Sequence, residues 1–357
     1  MNFLKWFKKK EEGEASSAPS KHYLTGKEAR AIAKANNKEM RRLEKAKRRK
    51  LPPSAYVTEM KDEGNILEIE DLHSFFFTDQ GVVKAVNGVS FEVPMNSTVG
   101  VVGESGCGKS VTSMSVMRLL QGPSGQIVSG SIRFKALDYK RDEKGALIPV
   151  WERDENGEIV TEPVLDKKGV IRSDKEGNPI LRPKQQKDEN GIGVYEKEEK
   201  VFDIAKMPMH EMYRLRGRQM SMVFQEPMTS LNPVFTIGNQ LDEVTLIHVP
   251  DATREFAKKR SIEMLNLVGI AMPERVYASY PHELSGGMRQ RVMIAMALAC
   301  EPRLIIADEP TTALDVTIQA QILNLFNDLK RKINGSILLI THDLGVIAEM
   351  ADYVVVM

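Results

Sequence analysis

Gly103-Glu104-Ser105-Gly106-Cys107-Gly108-Lys109-Ser110 is the stretch whose reading decides the fold. It follows a short apolar run at 99–102, broken by Gly100, and leads into a helical pattern over 111–120. Strand, glycine-rich loop and helix are the context a phosphate-binding loop needs. The glycines let the backbone curl so that several N–H groups point inward. The N-terminus of the helix adds partial positive charge at the same place. Lys109 is spaced to reach the outer phosphates, and the Ser110 hydroxyl to hold Mg²⁺. Residues 103–110 with Val111 are therefore the candidate nucleotide-binding residues, and the ligand they imply is a nucleoside triphosphate.

Outward from the loop, composition bounds the rest. The chain has 357 residues, 42% of them hydrophobic, and a net charge of only +1. That charge is unevenly spread: residues 1–50 hold 16 Lys and Arg against 6 Asp and Glu, and the remainder holds 34 against 43. A basic arm on an acidic body implies an anionic partner for the arm (a membrane surface, a nucleic acid or another protein) or else a solvated tail. The two cysteines, Cys107 and Cys300, make neither a disulfide framework nor a metal cluster and suit a reducing compartment. No apolar run approaches the roughly 20 residues of a membrane helix. The first ten residues are not a secretory signal, but Phe3, Leu4, Trp6 and Phe7 beside lysines suit a weak contact with an anionic bilayer.

Along the chain, 11–24 reads as a polar linker, and Thr25 with Glu28 as a capping box opening a helix over 27–50 that Pro52 and Pro53 end. Residues 1–62 are thus a basic extension and 63–357 the globular part. Strands are expected at 66–69, 85–93, 99–102, 130–134, 220–224, 303–307, 337–340 and 353–356, with mostly helical sequence over 226–300 and a helix over 318–332. Such alternation implies a mainly parallel sheet. Residues 137–206 break the pattern: Asp/Glu–Gly turns recur before short β-rich runs, as in Asp142-Glu143-Lys144-Gly145 and Asp154-Glu155-Asn156-Gly157. This is read as an inserted, repetitive hairpin element or a disordered loop.

Two further motifs bear on chemistry. The apolar run 303–307 ends in Asp308 and Glu309. Downstream of a phosphate loop, one acid at a strand end can order the metal shell and the next polarise an attacking water; Asp308 is assigned to the first role and Glu309 to the second. Leu284-Ser285-Gly286-Gly287-Met288 precedes a helical stretch over 289–300, and its serine and glycines at a helix start suit a second anion site.

Taken in order, the phosphate loop, Gln225, 284–288, Asp308–Glu309, Asp315 and His342 resemble the nucleotide-binding domain of ABC ATPases over about residues 65–357, insertion excepted. The resemblance implies an α/β fold: a RecA-like P-loop NTPase core, an antiparallel β subdomain and an α-helical subdomain carrying the signature. It implies ATP and Mg²⁺ as ligands, with Gln225 at the metal, the water and the membrane partner, and His342 at the γ-phosphate. Ser285, Gly286 and Gly287 would hold nucleotide bound to a second subunit, and Asp315 would communicate across that dimer. An aromatic usually stacks on adenine; Phe77 is the candidate, with Phe75 and Phe76 as rivals. Met288 departs from the usual Gln.

The strings 224–233 and 307–321 are similar to those of the ATP-binding subunits of bacterial oligopeptide, dipeptide or nickel importers, the oligopeptide-type D subunit in particular. That family implies two membrane permeases, a second and paralogous ATPase subunit, an extracellular peptide-binding lipoprotein, and a place on the cytoplasmic face of the membrane. Nucleic acid is not expected, although an ABC ATPase acting on nucleic acid or ribosomes is the alternative. The family pattern lacks the 137–206 insertion and continues past the last strand into a C-terminal segment absent here, as a fragment would.

Overall fold

The computed structural model describes residues 25–47, 49–166, 169–176, 178–226, 230–311 and 316–357. The aromatic start and the linker expected before residue 25 lie outside these, as does Asp315. In chain order the elements are α1 (Gly26–Lys47), β1 (Val57–Thr58), β2 (Asn65–Thr78), β3 (Gly81–Pro94), β4 (Thr98–Val102), α2 (Lys109–Val116) and β5 (Gly125–Tyr139). Then follow β6 (Thr161–Pro163), β7 (Leu181–Pro183), β8 (Lys197–Asp203), α3 (Met209–Leu215), β9 (Met220–Val223), α4 (Ile237–His248), α5 (Arg254–Leu267) and α6 (Pro273–Ala278). The chain continues through α7 (Gly286–Leu298), β10 (Leu304–Asp308), α8 (Val316–Ile333), β11 (Ser336–Ile340), α9 (Leu344–Met350) and β12 (Tyr353–Val356).

Two five-stranded sheets form the body. One is antiparallel, in the order β1-β8-β5-β2-β3; the other is parallel, in the order β12-β4-β11-β10-β9. β4, β9, β10 and β11 read as nearly continuous apolar runs because both faces are covered, whereas β12 at the edge stays largely exposed. Alternation sorts their side chains: Leu304 and Ile306 of β10 join a core shared with the antiparallel sheet and α2, whereas Ile305 and Ala307 join a core shared with α4, α5, α7, α8 and α9. The α/β architecture with an antiparallel sheet and a helical layer is as expected.

Local differences have local causes. The helix after the loop was expected to reach residue 120 and ends at Val116. Arg118 turns left-handed at φ 54°, and its buried guanidinium donates to the carbonyls of Ile204, Ala205 and Met207. Burial pushes that guanidinium down to about 10, with Arg216 adding to the shift. The capping box forms at the start of α1: Thr25 N donates to Glu28 Oε2 at 2.9 Å and Glu28 N to Thr25 Oγ1 at 3.4 Å. Halfway along, Asn36 is buried and its amide donates to the carbonyls of Thr78 and Gly81, fastening α1 to the β2–β3 hairpin.

Pairing of β5 with β8 runs from Arg133–Asp203 to Tyr139–Lys197, so the ends of the segment expected as an insertion belong to the antiparallel sheet. What stands off it is 140–196, a stalk of short hairpins. Its strands close into rings of three backbone hydrogen bonds. In one, Val150 N donates to Val194 O, Val194 N to Gln186 O and Gln186 N to Val150 O, at 2.8–2.9 Å. Glu152, Lys184 and Val160 form another such ring, and Val164, Ile180 and Arg172 a further one. Closed rings leave few strand edges open to pairing with another chain. At its base the stalk touches the helical layer, with the Tyr195 hydroxyl donating to Asp251 and Lys259 to Asn190.

Candidate nucleotide site

Parallel β-strands with helices on a face place ligands at their carboxyl ends. Four strands of the parallel sheet end at one edge here: β4 runs into the phosphate loop, β9 toward Gln225, β10 into Asp308 and Glu309, and β11 toward His342. Ser105, Gly106, Gly108, Lys109, Ser110 and Val111 line a cavity of about 470 Å³ there, together with Ala85, Gln225, Glu309 and His342. Residues separated by more than two hundred positions are thus brought to one place.

The loop's shape depends on glycine at one position above all. Gly108 has φ 105°, and a Cβ there would lie 2.3 Å from the carbonyl oxygen of Ala85, a backbone atom that cannot step aside. Lys109 is buried, and its ammonium donates to the carbonyls of Gly103 and Glu104 at 2.8 and 2.9 Å. The cation therefore occupies the bowl of the loop, held by neutral acceptors that a phosphate would outcompete.

The two acids diverge. Asp308 is 3% exposed and accepts from the Ser110 hydroxyl at 2.9 Å. Burial pushes its carboxyl upward, the Ser110 bond opposes this, Glu309 adds to it, and Lys109 opposes it. Glu309 takes φ 46°, unusual for a residue with a side chain, and its N–H is fixed by the carbonyl of Ile340 at 2.9 Å. This twist aims its carboxylate away from Asp308 into the cavity. There Glu309 Oε2 accepts from Gln225 Nε2 at 2.9 Å, and Oε1 lies 3.1 Å from His342 Nδ1. An ionised Glu309 requires the proton on His342 Nδ1.

For a divalent cation, the donor set is hard oxygen. A buried carboxylate beside a hydroxyl, raised in pKa by its own desolvation, fits Mg²⁺, which takes one or two protein oxygens and completes its shell with phosphates and water. Ser110, Asp308 and Gln225 are the residues that would hold it.

Ser285, Gly286 and Gly287 do not line this cavity. They form the N-terminus of α7, with Ser285 and Gly286 exposed and Gly287 half-buried, where the Ser285 hydroxyl accepts from Met288 N at 3.3 Å. Phe77 is not at the cavity either. It is 4% exposed, packed within β2, and the wall beside the loop is Ala85. The expectation of a stacking role for Phe77 is corrected accordingly: alternation along β2 turns the ring into the core. One residue was missed by sequence reasoning. Gln290 of α7 is buried and donates to the carbonyl of Pro310 at 2.6 Å, tying the signature helix to the loop after Glu309. A glutamine among apolar helix residues was the signal available for it.

A family model described as ABC transporter matches residues 86–156 and 158–312. The oligopeptide transport ATP-binding protein AppD of Bacillus subtilis (strain 168) is 42% identical over 82% of this chain and 69% of its own length. OppD and DppD of the same organism, named for oligopeptide and dipeptide transport, are each 43% identical over 82% of this chain; the match spans 63% and 68% of their lengths. Among solved structures, the dimeric ATP-binding cassette MJ0796 in a post-hydrolysis state bound to ADP and Pi superposes with a TM-score of 0.56 at 20% identity, covering 82% of this chain and 94% of that one. That likeness concerns the fold.

Proposed function

The chain belongs to the ABC transporter family, in its ATP-binding branch, and from that premise we infer that it powers import of oligopeptides or dipeptides into a bacterial cell. It is an ATPase. The observation that carries the reading is the convergence of Lys109, the Ser110–Asp308 pair and the Gln225–Glu309–His342 chain on one cavity at the strand ends.

The residues divide the work of phosphoryl transfer, which needs positioning and charge neutralisation more than covalent chemistry. Loop amides and Lys109 hold the phosphates. Mg²⁺, when bound with the nucleotide, neutralises charge on the outer phosphate oxygens. Glu309 accepts the proton of the attacking water; Gln225 and His342, now on its two oxygens, orient that water and the γ-phosphate. Ser285, Gly286 and Gly287, outside the lining of their own chain's cavity, complete the site of a second cassette, so that ATP closes the pair and hydrolysis reopens it. Asp315 signals across that contact.

Exposed Phe235, Leu246 and Ile247 line one surface hollow beside α4. Apolar side chains grouped on a surface mark a docking place, here for a membrane permease. No described helix is long and apolar enough to cross a membrane. In this reading the permeases supply the channel and the chain sits on its cytoplasmic face. A second, paralogous ATP-binding subunit and an external peptide-binding lipoprotein complete the complex. Affinity purification from detergent-solubilised membranes tests this reading. Two polytopic permeases and a second ATP-binding subunit are expected. Ribosomal proteins or nucleic acid in their place would overturn it.

A further inference from the structure

We propose that α1 seats the protein on an anionic lipid surface through a ridge of cations on the helix face turned away from the sheet. Lys27, Lys34, Lys38, Arg41 and Lys45 are spaced by 7, 4, 3 and 4 residues, which keeps them on one stripe of an α-helix. Arg30 borders the stripe, and all six side chains are exposed. Asn36, nine residues after Lys27, points the opposite way and is the residue that fastens α1 to the β2–β3 hairpin. The docked face thus fixes the direction of the ridge, which runs straight for about 27 Å at 1.5 Å per residue.

The acids of α1 make contacts with groups outside this stripe, Glu44 with Lys47 among them. Glu28 closes the capping box, Glu39 pairs with Arg42, and Glu44 accepts from Gln126 on the sheet side. A straight row of exposed cations complements a plane of anionic headgroups, where each Lys or Arg near the surface adds to attraction. α1 carries no aromatic side chain to stack on a base, which favours lipid over nucleic acid. Ahead of it, the first ten residues combine Phe3, Leu4, Trp6 and Phe7 with four lysines, a composition suited to a bilayer interface. The proposal rests on the importer reading only for the presence of a membrane nearby.

The test is co-sedimentation of the full chain with vesicles of phosphatidylcholine alone or mixed with phosphatidylglycerol, without permeases. The parent chain is expected to bind the anionic vesicles selectively and to be released by salt. Combined Lys34→Glu, Lys38→Glu, Arg41→Glu and Lys45→Glu should lower partitioning at least about tenfold while ATP hydrolysis stays unchanged. The same four positions changed to Gln guard against misfolding and should lower it in the same direction; Lys34→Arg, Lys38→Arg and Lys45→Arg should preserve it. Partitioning equal to the parent's in the Glu and Gln variants would overturn the proposal. So would a ridge variant that loses binding to duplex DNA while keeping its vesicles. Failure of permeases to co-purify would sink the importer reading and leave these vesicle results standing.

Discussion

The phosphate loop and the 140–196 stalk are both built on glycines with positive φ, yet one makes a site and the other a scaffold. In the stalk the turns at 142–146, 154–158 and 188–192 satisfy themselves. Asp154 Oδ1 accepts the amides of Asn156 and Glu158 at 2.9 Å, and its carbonyl accepts that of Gly157 at 3.0 Å; Asp142 and Asp188 repeat the pattern. In the core the carboxylates reach across the chain instead: Asp308 to a hydroxyl 198 positions away and Glu309 to an amide 84 positions away. Local satisfaction ties up the turn carboxylates and amides within a few residues. Long-range convergence leaves groups whose partners are exchangeable, Lys109 on neutral carbonyls above all.

Substitutions can sharpen that contrast. Glu309→Gln keeps the shape of the side chain and removes the proton acceptor. Turnover by the assembled complex should fall by about 10²–10⁴-fold with ATP still bound, the range typical of a lost general base. Lys109→Ala should weaken ATP binding about ten- to a hundredfold in equilibrium titration, the worth of a hydrogen bond to a charged group. The cysteines should separate next. Burial pushes the Cys300 thiol up to about 11, so at pH 8 only about a thousandth is thiolate and maleimide should spare it. Cys107 lies within the loop, and ATP should protect it from the same reagent; mass spectrometry after timed labelling reads both.

Last comes one substitution made in both regions. Gly108→Ala meets the carbonyl of Ala85 and should abolish measurable nucleotide binding. Gly157 has φ 84° with open space around it, so Gly157→Ala costs only the left-handed backbone, about 1–2 kcal/mol, and should leave ATP hydrolysis as it was. Equal loss of activity in the two would erase the distinction drawn here.

What the sequence disclosed follows the same division. The strand, loop and helix around 99–116, the acid pair closing β10 and the recurring turns of the stalk are signals within a dozen residues, and each was legible. The divergence of Asp308 and Glu309 was not, because it depends on a left-handed Glu309 held by the carbonyl of Ile340 on a neighbouring strand. Nor was the burial of Phe77: three phenylalanines in succession do not say which points outward, and register shifts along β2 around Ile69–Leu72 and Ser74–Phe75 reset the alternation. The rings of the stalk escaped for a similar reason. Turns reveal hairpins, but joining Val150 to Gln186 and Val194 is a matter of tertiary pairing. The role of Asn36 depends on the hairpin carbonyls of Thr78 and Gly81, more than forty residues away in sequence.

Sedimentation velocity of the Glu309→Gln chain mixed with its companion ATP-binding subunit reaches the central claim most directly. Adding ATP with Mg²⁺ should convert the two subunits into a single faster species carrying both cassettes, and removing the nucleotide should return them to separate boundaries. An unchanged sedimentation profile at saturating nucleotide would contradict a site completed by the Ser285–Gly287 edge of a neighbouring subunit.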